Sequence, residues 1–203
     1  MEAADPLVVQ GPTLTLRSAT PEDAPALFDL ASDPAVTRFF SWGPYERMAE
    51  PEAYIAGLEV KRDRGELLDL LVVHREHGPV GVTGLSELSR RDRRATVGSW
   101  FGHRYWGSGV NLESKAMIAR LAFDHLGLER LTAWANTRNG RSQVALERLG
   151  FRREGTLHGW HRHGDHVHDV VVFGMQRTGF ERSPMAGIPV EVSGDLPPAF
   201  AVR

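Results

Sequence analysis

The segment Arg104-Tyr105-Trp106-Gly107-Ser108-Gly109 sets an arginine, an indole and two closely spaced glycines directly before an apolar-periodic run, Val110 to Leu126. A turn of this kind between a strand and a helix gathers backbone N–H groups, and the new helix adds its positive end. The chemistry on offer is anion binding. A Cβ at either glycine would hold a diphosphate away from the backbone. Trp100 and Phe101 end the strand-like run that leads into the turn, and His103, Ser108 and Val110 complete it.

Two better-known phosphate loops do not fit. Gly102 to Gly107 has P-loop spacing, but Ser108 and Gly109 stand where a Lys and a hydroxyl residue are required. A dinucleotide fold needs a third glycine where this chain has Leu112, and it opens on a βαβ unit, whereas this strand comes mid-chain. A second block lies downstream: Asn139-Gly-Arg-Ser142, followed by a run that closes on Gly150-Phe151.

In this order and at this distance, the two blocks resemble the pyrophosphate loop and the Asn-x-x-Ser…Gly-Phe segment of the GNAT N-acetyltransferases. The phrase from Tyr105 to Lys115 is similar to the branch that includes the ribosomal-protein N-terminal acetyltransferases. The resemblance implies an α/β GNAT fold, a central mixed, mostly antiparallel sheet of roughly six or seven strands flanked by about four helices. It implies acetyl-coenzyme A as acyl donor. Trp100, Phe101, His103, Arg104, Trp106, Gly107, Ser108, Gly109, Val110, Asn139 and Ser142 match coenzyme-contacting positions, and Arg148 could meet the adenosine 3′-phosphate. The acceptor implied is a primary amine, a peptide N-terminus or a small molecule, with Phe39, Phe40 and Trp42 as its wall. Some chains of this fold instead bind tRNA or take an aminoacyl group from it, so tRNA stays an alternative partner and a homodimer an alternative assembly.

Amide formation from a thioester needs a neutral amine, a donor for the carbonyl oxygen and a proton for the thiolate. Backbone N–H groups around Trp100 and Phe101 answer the second need. Ser142 answers the third, although a serine there is equally a helix N-cap. Glu87, near the end of a strand, is a candidate base or an exposed strand-end carboxylate. Glu113 reads as a complement to the helix dipole. Related chains carry a Glu where this one has Thr96. His158, His161, His163, His166 and His168 cluster across a hairpin around Gly164-Asp165 and read as exposed strand positions with no metal. Arg90, Arg91, Arg93 and Arg94 make a basic run that suits a solvated face or an anionic partner.

The elements that must position these groups follow from the rest of the sequence. With 203 residues, 41% hydrophobic and 25% charged, the chain suits one domain with a substantial core. Its net charge of −2 argues against general nucleic-acid binding. The absence of cysteine excludes a thiolate nucleophile and a disulfide framework. No apolar run approaches the roughly 18 residues of a membrane span, so the cytoplasm is the expected location.

Residues 1–12 read as a leader, 13–176 as the acyltransferase domain and 177–203, which holds Pro184, Pro189, Pro197 and Pro198, as a loosely ordered tail. Strands are expected over Thr13–Arg17, Leu67–Val73, Val80–Leu88, Ala95–Phe101, Leu131–Ala135, from Phe151 through Glu154, and at Val170–Phe173. Helices are expected over Thr20–Ala31, Glu50–Arg64, Val110–His125 and residues 140–149.

Overall fold

A computed structural model describes residues 5–163 and 165–202. Nine strands form one sheet among these residues: β1 (Val8–Gln10), β2 (Leu14–Arg17), β3 (Leu67–His74), β4 (Gly78–Ser89), β5 (Arg94–Phe101), β6 (Arg130–Asn136), β7 (Arg152–His163), β8 (His166–Gln176) and β9 (Glu191–Ser193). Their order is β7-β8-β6-β5-β4-β3-β2-β1-β9. Every pairing is antiparallel except β5 with β6. The helices are α1 (Ala24–Ala31), α2 (Pro34–Thr37), α3 (Ala49–Asp63), α4 (Val110–Arg120), α5 (Gly140–Arg148) and α6 (Arg177–Phe180).

Alternation along the strands sends side chains to two cores. Leu68, Leu70 and Val72 of β3 and Ala95, Val97 and Phe101 of β5 pack with α4 and with Leu146 of α5. Leu71, Val82 and Trp100 face the other way, against Leu27 and Leu30 of α1, Val36 of α2 and Ile55 of α3. The mixed α/β architecture and its antiparallel majority match the expectation. Two of the nine strands come from the segments read as leader and tail.

The tail is where the sequence reading fails. In place of a loose segment, α6 and β9 are formed, Phe180, Met185 and Phe200 are buried, and β9 pairs with β1. The Val202 N–H donates to the Leu126 carbonyl at 2.8 Å, and the Asp195 N–H to the Asp5 carbonyl at 2.9 Å. Apolar residues at irregular spacing leave no periodic trace, yet each fills a place over the sheet. Arg90 donates to the carbonyls of Ala199 and Ala201 at 3.2 and 2.8 Å, and Arg93 to that of Gly127 at 2.9 Å. Half of the basic run therefore serves to anchor the chain end and a neighbouring turn.

Two charged side chains fix where α1 and α4 begin. Asp23 accepts from the Thr20 N–H at 2.8 Å and from both terminal nitrogens of Arg17 at 2.7 and 2.8 Å, which ties the first helical turn to β2. Glu113, in the first turn of α4, accepts from the N–H of Thr13, the hydroxyl of Thr13 and the N–H of Leu14 at 2.6, 2.6 and 2.8 Å. This carboxylate anchors β2 as well as complementing the helix dipole. Replacing Glu113 by Ala leaves three donors without their acceptor and should cost about 2–3 kcal/mol. Chemical denaturation checks it, and a loss below 0.5 kcal/mol would contradict the anchoring role.

Candidate acyl-transfer site

β5 and β6 are paired at Arg94 with Arg130, Ala95 with Leu131 and Thr96 with Thr132, and no further. Beyond Thr96 they diverge. β6 keeps its other neighbour, β8, along its whole length, and β5 keeps β4. Side chains take over the backbone groups at the parted ends. Trp106 Nε1 donates to the Phe101 carbonyl at 2.9 Å, and Gln143 Nε2 donates to the carbonyls of Asn136 and Thr137 at 3.1 and 2.9 Å.

A cavity of about 730 Å³ lies along this parting. Gly107, Gly109, Asn111 and Leu112 line it at the start of α4; Asn139, Gly140, Arg141, Ser142 and Arg148 line it from α5; Phe39 and Phe40 line it beyond α2. Ser99, Trp100, Phe101 and Trp106 belong to its wall. Gly107 and Gly109 take φ values of 81° and 94°, a left-handed backbone that favours glycine. A Cβ on either would meet no protein atom within 4 Å, so it would project into free space beside the backbone. The first α4 hydrogen bond outside the turn is Glu113 N–H to the Gly109 carbonyl at 3.2 Å, which leaves the N–H groups of Val110, Asn111 and Leu112 without a helical acceptor. These features suit a diphosphate: free N–H groups, a helix dipole and no side chain in the way.

The remaining loop residues are placed elsewhere. Arg104 pairs with Asp29 at 2.9 Å, His103 Nδ1 lies 3.2 Å from Asp33, and Ser108 donates to the Tyr105 carbonyl at 2.7 Å. Val110 is buried in the core. None of these four lines the cavity. Trp42 also lies outside its lining but meets Phe40 and Trp100, with ring centroids 5.4 and 5.5 Å apart. Arg141, given no role in the sequence reading, is a cavity cation, placed over Trp106 at 3.1 Å from the ring centroid.

Ser142 does not cap α5. The N-cap is Asn139, whose Oδ1 accepts the Ser142 N–H at 3.1 Å. Asn and Ser are both cap residues, and only the backbone decides between them. Among the described residues the Ser142 hydroxyl makes no hydrogen bond, and it faces the cavity. Glu87 is exposed, at a positive φ of 51° where the β4–β5 register shifts, and lies outside the cavity lining. Thr96 donates to its Oε2 at 2.6 Å. The position where the resemblance implies a Glu thus has a carboxylate beside it, supplied by the neighbouring strand.

Behind the cavity wall, Lys115 of α4 is buried and donates to Ser99 Oγ at 2.5 Å. Burial alone lowers its pKa to about 7. In the hairpin, His158 Nδ1 meets Asp169 Oδ2 at 2.9 Å, and the His166 and His168 rings lie tilted with centroids 6.3 Å apart. No three His, Asp or Glu side chains among the described residues converge as metal ligands. Gly164, expected at the hairpin tip, lies outside the described residues. No described helix is long and apolar enough to cross a membrane.

Comparison with known proteins gives this geometry a family. A family model of the acetyltransferase (GNAT) domain matches residues 13–152. The protein named uncharacterized N-acetyltransferase p20 of Bacillus licheniformis is 27% identical over 163 residues, 80% of this chain and 92% of its own length. RimJ of Mycobacterium smegmatis, solved with CoA-disulfide, superposes with a TM-score of 0.78 at 19% identity, covering 90% of this chain and 91% of that one. The microcin C7 self immunity acetyltransferase MccE, solved with acetyl-CoA and AMP, gives 0.75 at 17% identity over 81% and 93% of the two chains.

Two stability outcomes follow. Asn139→Ala should cost about 1 kcal/mol through the lost cap, whereas Ser142→Ala should change stability by less than about 0.5 kcal/mol. The reverse order in thermal melts would restore Ser142 as the cap. For Lys115, an ordinary lysine titrates near 10.4, so between about 7 and that value the unfolded chain holds a proton the folded one lacks. Stability should therefore rise with pH across this window, by up to ~1.4 kcal/mol per unit, and Lys115→Met should abolish the rise. Denaturation curves at pH 7, 8 and 9 with equal slopes for both proteins would contradict it.

Proposed function

Because the chain belongs to the GNAT acetyltransferase family, we propose that it transfers an acetyl group from acetyl-coenzyme A to a primary amine by direct attack on the thioester. The observation that carries this reading is the cavity against the end of β5 that has parted from β6, lined by the glycine turn, the start of α5 and the aromatic residues Phe39, Phe40, Trp100 and Trp106. The diphosphate is held by the turn at Gly107 and Gly109 and by the first N–H groups of α4. Arg141 and Arg148 serve the anionic part of the coenzyme. Asn139 orders the start of α5, and the N–H groups of β5 near Trp100 and Phe101, past the last β6 pairing, polarise the acyl carbonyl.

In the reaction the amine nitrogen bonds to the carbonyl carbon and the C–S bond breaks. The ammonium form of the acceptor loses two protons on the way to the amide. One leaves before attack, and Ser142, whose hydroxyl has no other partner among the described residues, donates a proton to the departing thiolate and recovers the second. Phe39, Phe40 and Trp42 wall the acceptor. A peptide N-terminus or a small amine suits that wall. Residues 13–176 carry the reaction in this account. The tRNA-reading alternative finds no support, because Arg90 and Arg93 are engaged with backbone carbonyls.

Gly107→Glu should abolish acetyl-coenzyme A binding by placing a side chain and a negative charge at the diphosphate. Calorimetry checks it, and unchanged affinity would overturn the coenzyme assignment. Ser142→Ala should lower kcat about 100-fold or more with the coenzyme dissociation constant unchanged. A normal kcat, measured where chemistry limits turnover, would remove the serine from the mechanism.

A further inference from the structure

The wall of the acceptor side continues across the sheet to a carboxylate that the mechanism above does not use. Asp69 interrupts the apolar run of β3 and points to the α1–α3 face. Strand register sets Asp69 opposite Gly84, and Gly84 opposite Gly98. The three residues form one row across β3, β4 and β5. A Cβ at Gly84 would collide with Asp69 Oδ1, so the carboxylate lies over that glycine, pointing along the row. At Gly98 a Cβ would meet nothing within 4 Å, and Gly98 is exposed. One strand spacing, about 4.8 Å, separates the two glycines. The row thus has an acid over one glycine, open space over the next, and the parted edge of β5 directly beyond.

The surroundings are aromatic. Tyr54 of α3 donates to Asp69 Oδ2 at 2.7 Å, which leaves Oδ1 directed over Gly84. Tyr45 packs on Trp42, and Trp42 on Trp100, with ring centroids 5.5 Å apart in both pairs. A carboxylate bonded to Tyr54, in a row whose next open place, Gly98, lies two residues along β5 from Trp100, suits a cation that carries N–H donors. An alcohol or a thiol would supply neither the charge nor the second and third hydrogen bond.

We propose that the open space over Gly98, beside the carboxylate that covers Gly84, receives the acceptor as a primary ammonium ion, with Asp69 as its counter-ion and as the base that takes its first proton. This rests on the acyltransferase reading and deepens it. The proton passes from the ammonium nitrogen to Asp69 Oδ1, the freed lone pair attacks the acyl carbon, and Asp69 returns the proton to water after product leaves. Burial raises the Asp69 pKa above the ordinary carboxylate range, while the Tyr54 hydroxyl and the charge of Lys61 pull it back. The groups facing it are Tyr54 and Lys61 from α3 and Tyr45 from the preceding loop; β4 and β5 present only Gly84 and Gly98 in this row. Burial raises both tyrosines, helped by Glu50 and Asp69 at Tyr45 and by Asp69 at Tyr54, so both hydroxyls stay neutral at working pH.

The test is calorimetry of phenethylammonium, with 2-phenylethanol as its uncharged counterpart, on the full chain saturated with coenzyme A. Coenzyme affinity, measured first in every protein, reports folding and the donor site separately. Its failure in the wild type would sink the acyltransferase reading and this proposal with it. With coenzyme bound, the ammonium should bind at least about tenfold more tightly than the alcohol, and Asp69→Asn should erase the difference. Affinity for the ammonium should rise with pH as Asp69 ionises. Tyr54→Phe removes a bond to the ionised form, so it should keep the preference but move that rise to higher pH. Glu87→Gln should leave all of this unchanged. No preference in the wild type, an undiminished preference in Asp69→Asn, a pH rise that Tyr54→Phe does not move, or a loss caused by Glu87→Gln would each overturn the proposal.

Discussion

Three residue pairs join β5 to β6, and the cavity exists because the strands separate after the third. Parallel strands that part inside a sheet strand their own N–H and C=O groups, a cost of about 1–3 kcal/mol for each group left unmade. The fold meets that cost locally. Trp106 takes the Phe101 carbonyl, and Gln143 takes those of Asn136 and Thr137. Ser99, Trp100 and Phe101, past the last β6 pairing, line the cavity, where a substrate can meet them. The same requirement that shapes the sheet therefore yields binding groups at the place where chemistry is proposed.

Each end of the parting is fixed by helix onset. Gly107 and Gly109 turn the chain through left-handed backbone into α4, and Asn139 caps α5. Two helix starts lining one cavity give it a positive lining without much formal charge. That explains how a chain with net charge −2 can present an anion site. A carboxylate in the first turn of α4 facing the cavity would weaken this field. That of Glu113 is turned instead onto Thr13 and Leu14, so it fastens β2 rather than facing the cavity.

What the sequence disclosed follows from how local each signal is. The glycine turn was legible because positive φ leaves few residue choices, and the strands because their alternation is long. Ser142 reads as a cap by residue type alone, and Asn139, three positions earlier, is of a type that caps as well, so only the backbone decides. The tail was misread because Phe180, Met185 and Phe200 fill places on the sheet at no fixed period. Arg104 looked like a phosphate ligand by position alone, and its partner Asp29 comes from a helix far earlier in the chain. Asp69 left one trace, a lone acid in an apolar strand. Its meaning needed the register that sets it opposite Gly84 and Gly84 opposite Gly98.

A crystal structure with acetyl-coenzyme A tests the central claim most directly, because the account fixes where each part of the donor must lie. The diphosphate is expected within hydrogen-bond distance, about 3 Å, of backbone N–H groups between Gly107 and Leu112. The thioester is expected between β5 and β6 past Thr96, with the Ser142 hydroxyl on its sulfur. A coenzyme bound outside the parting, or one whose diphosphate avoids the glycine turn, would contradict the account.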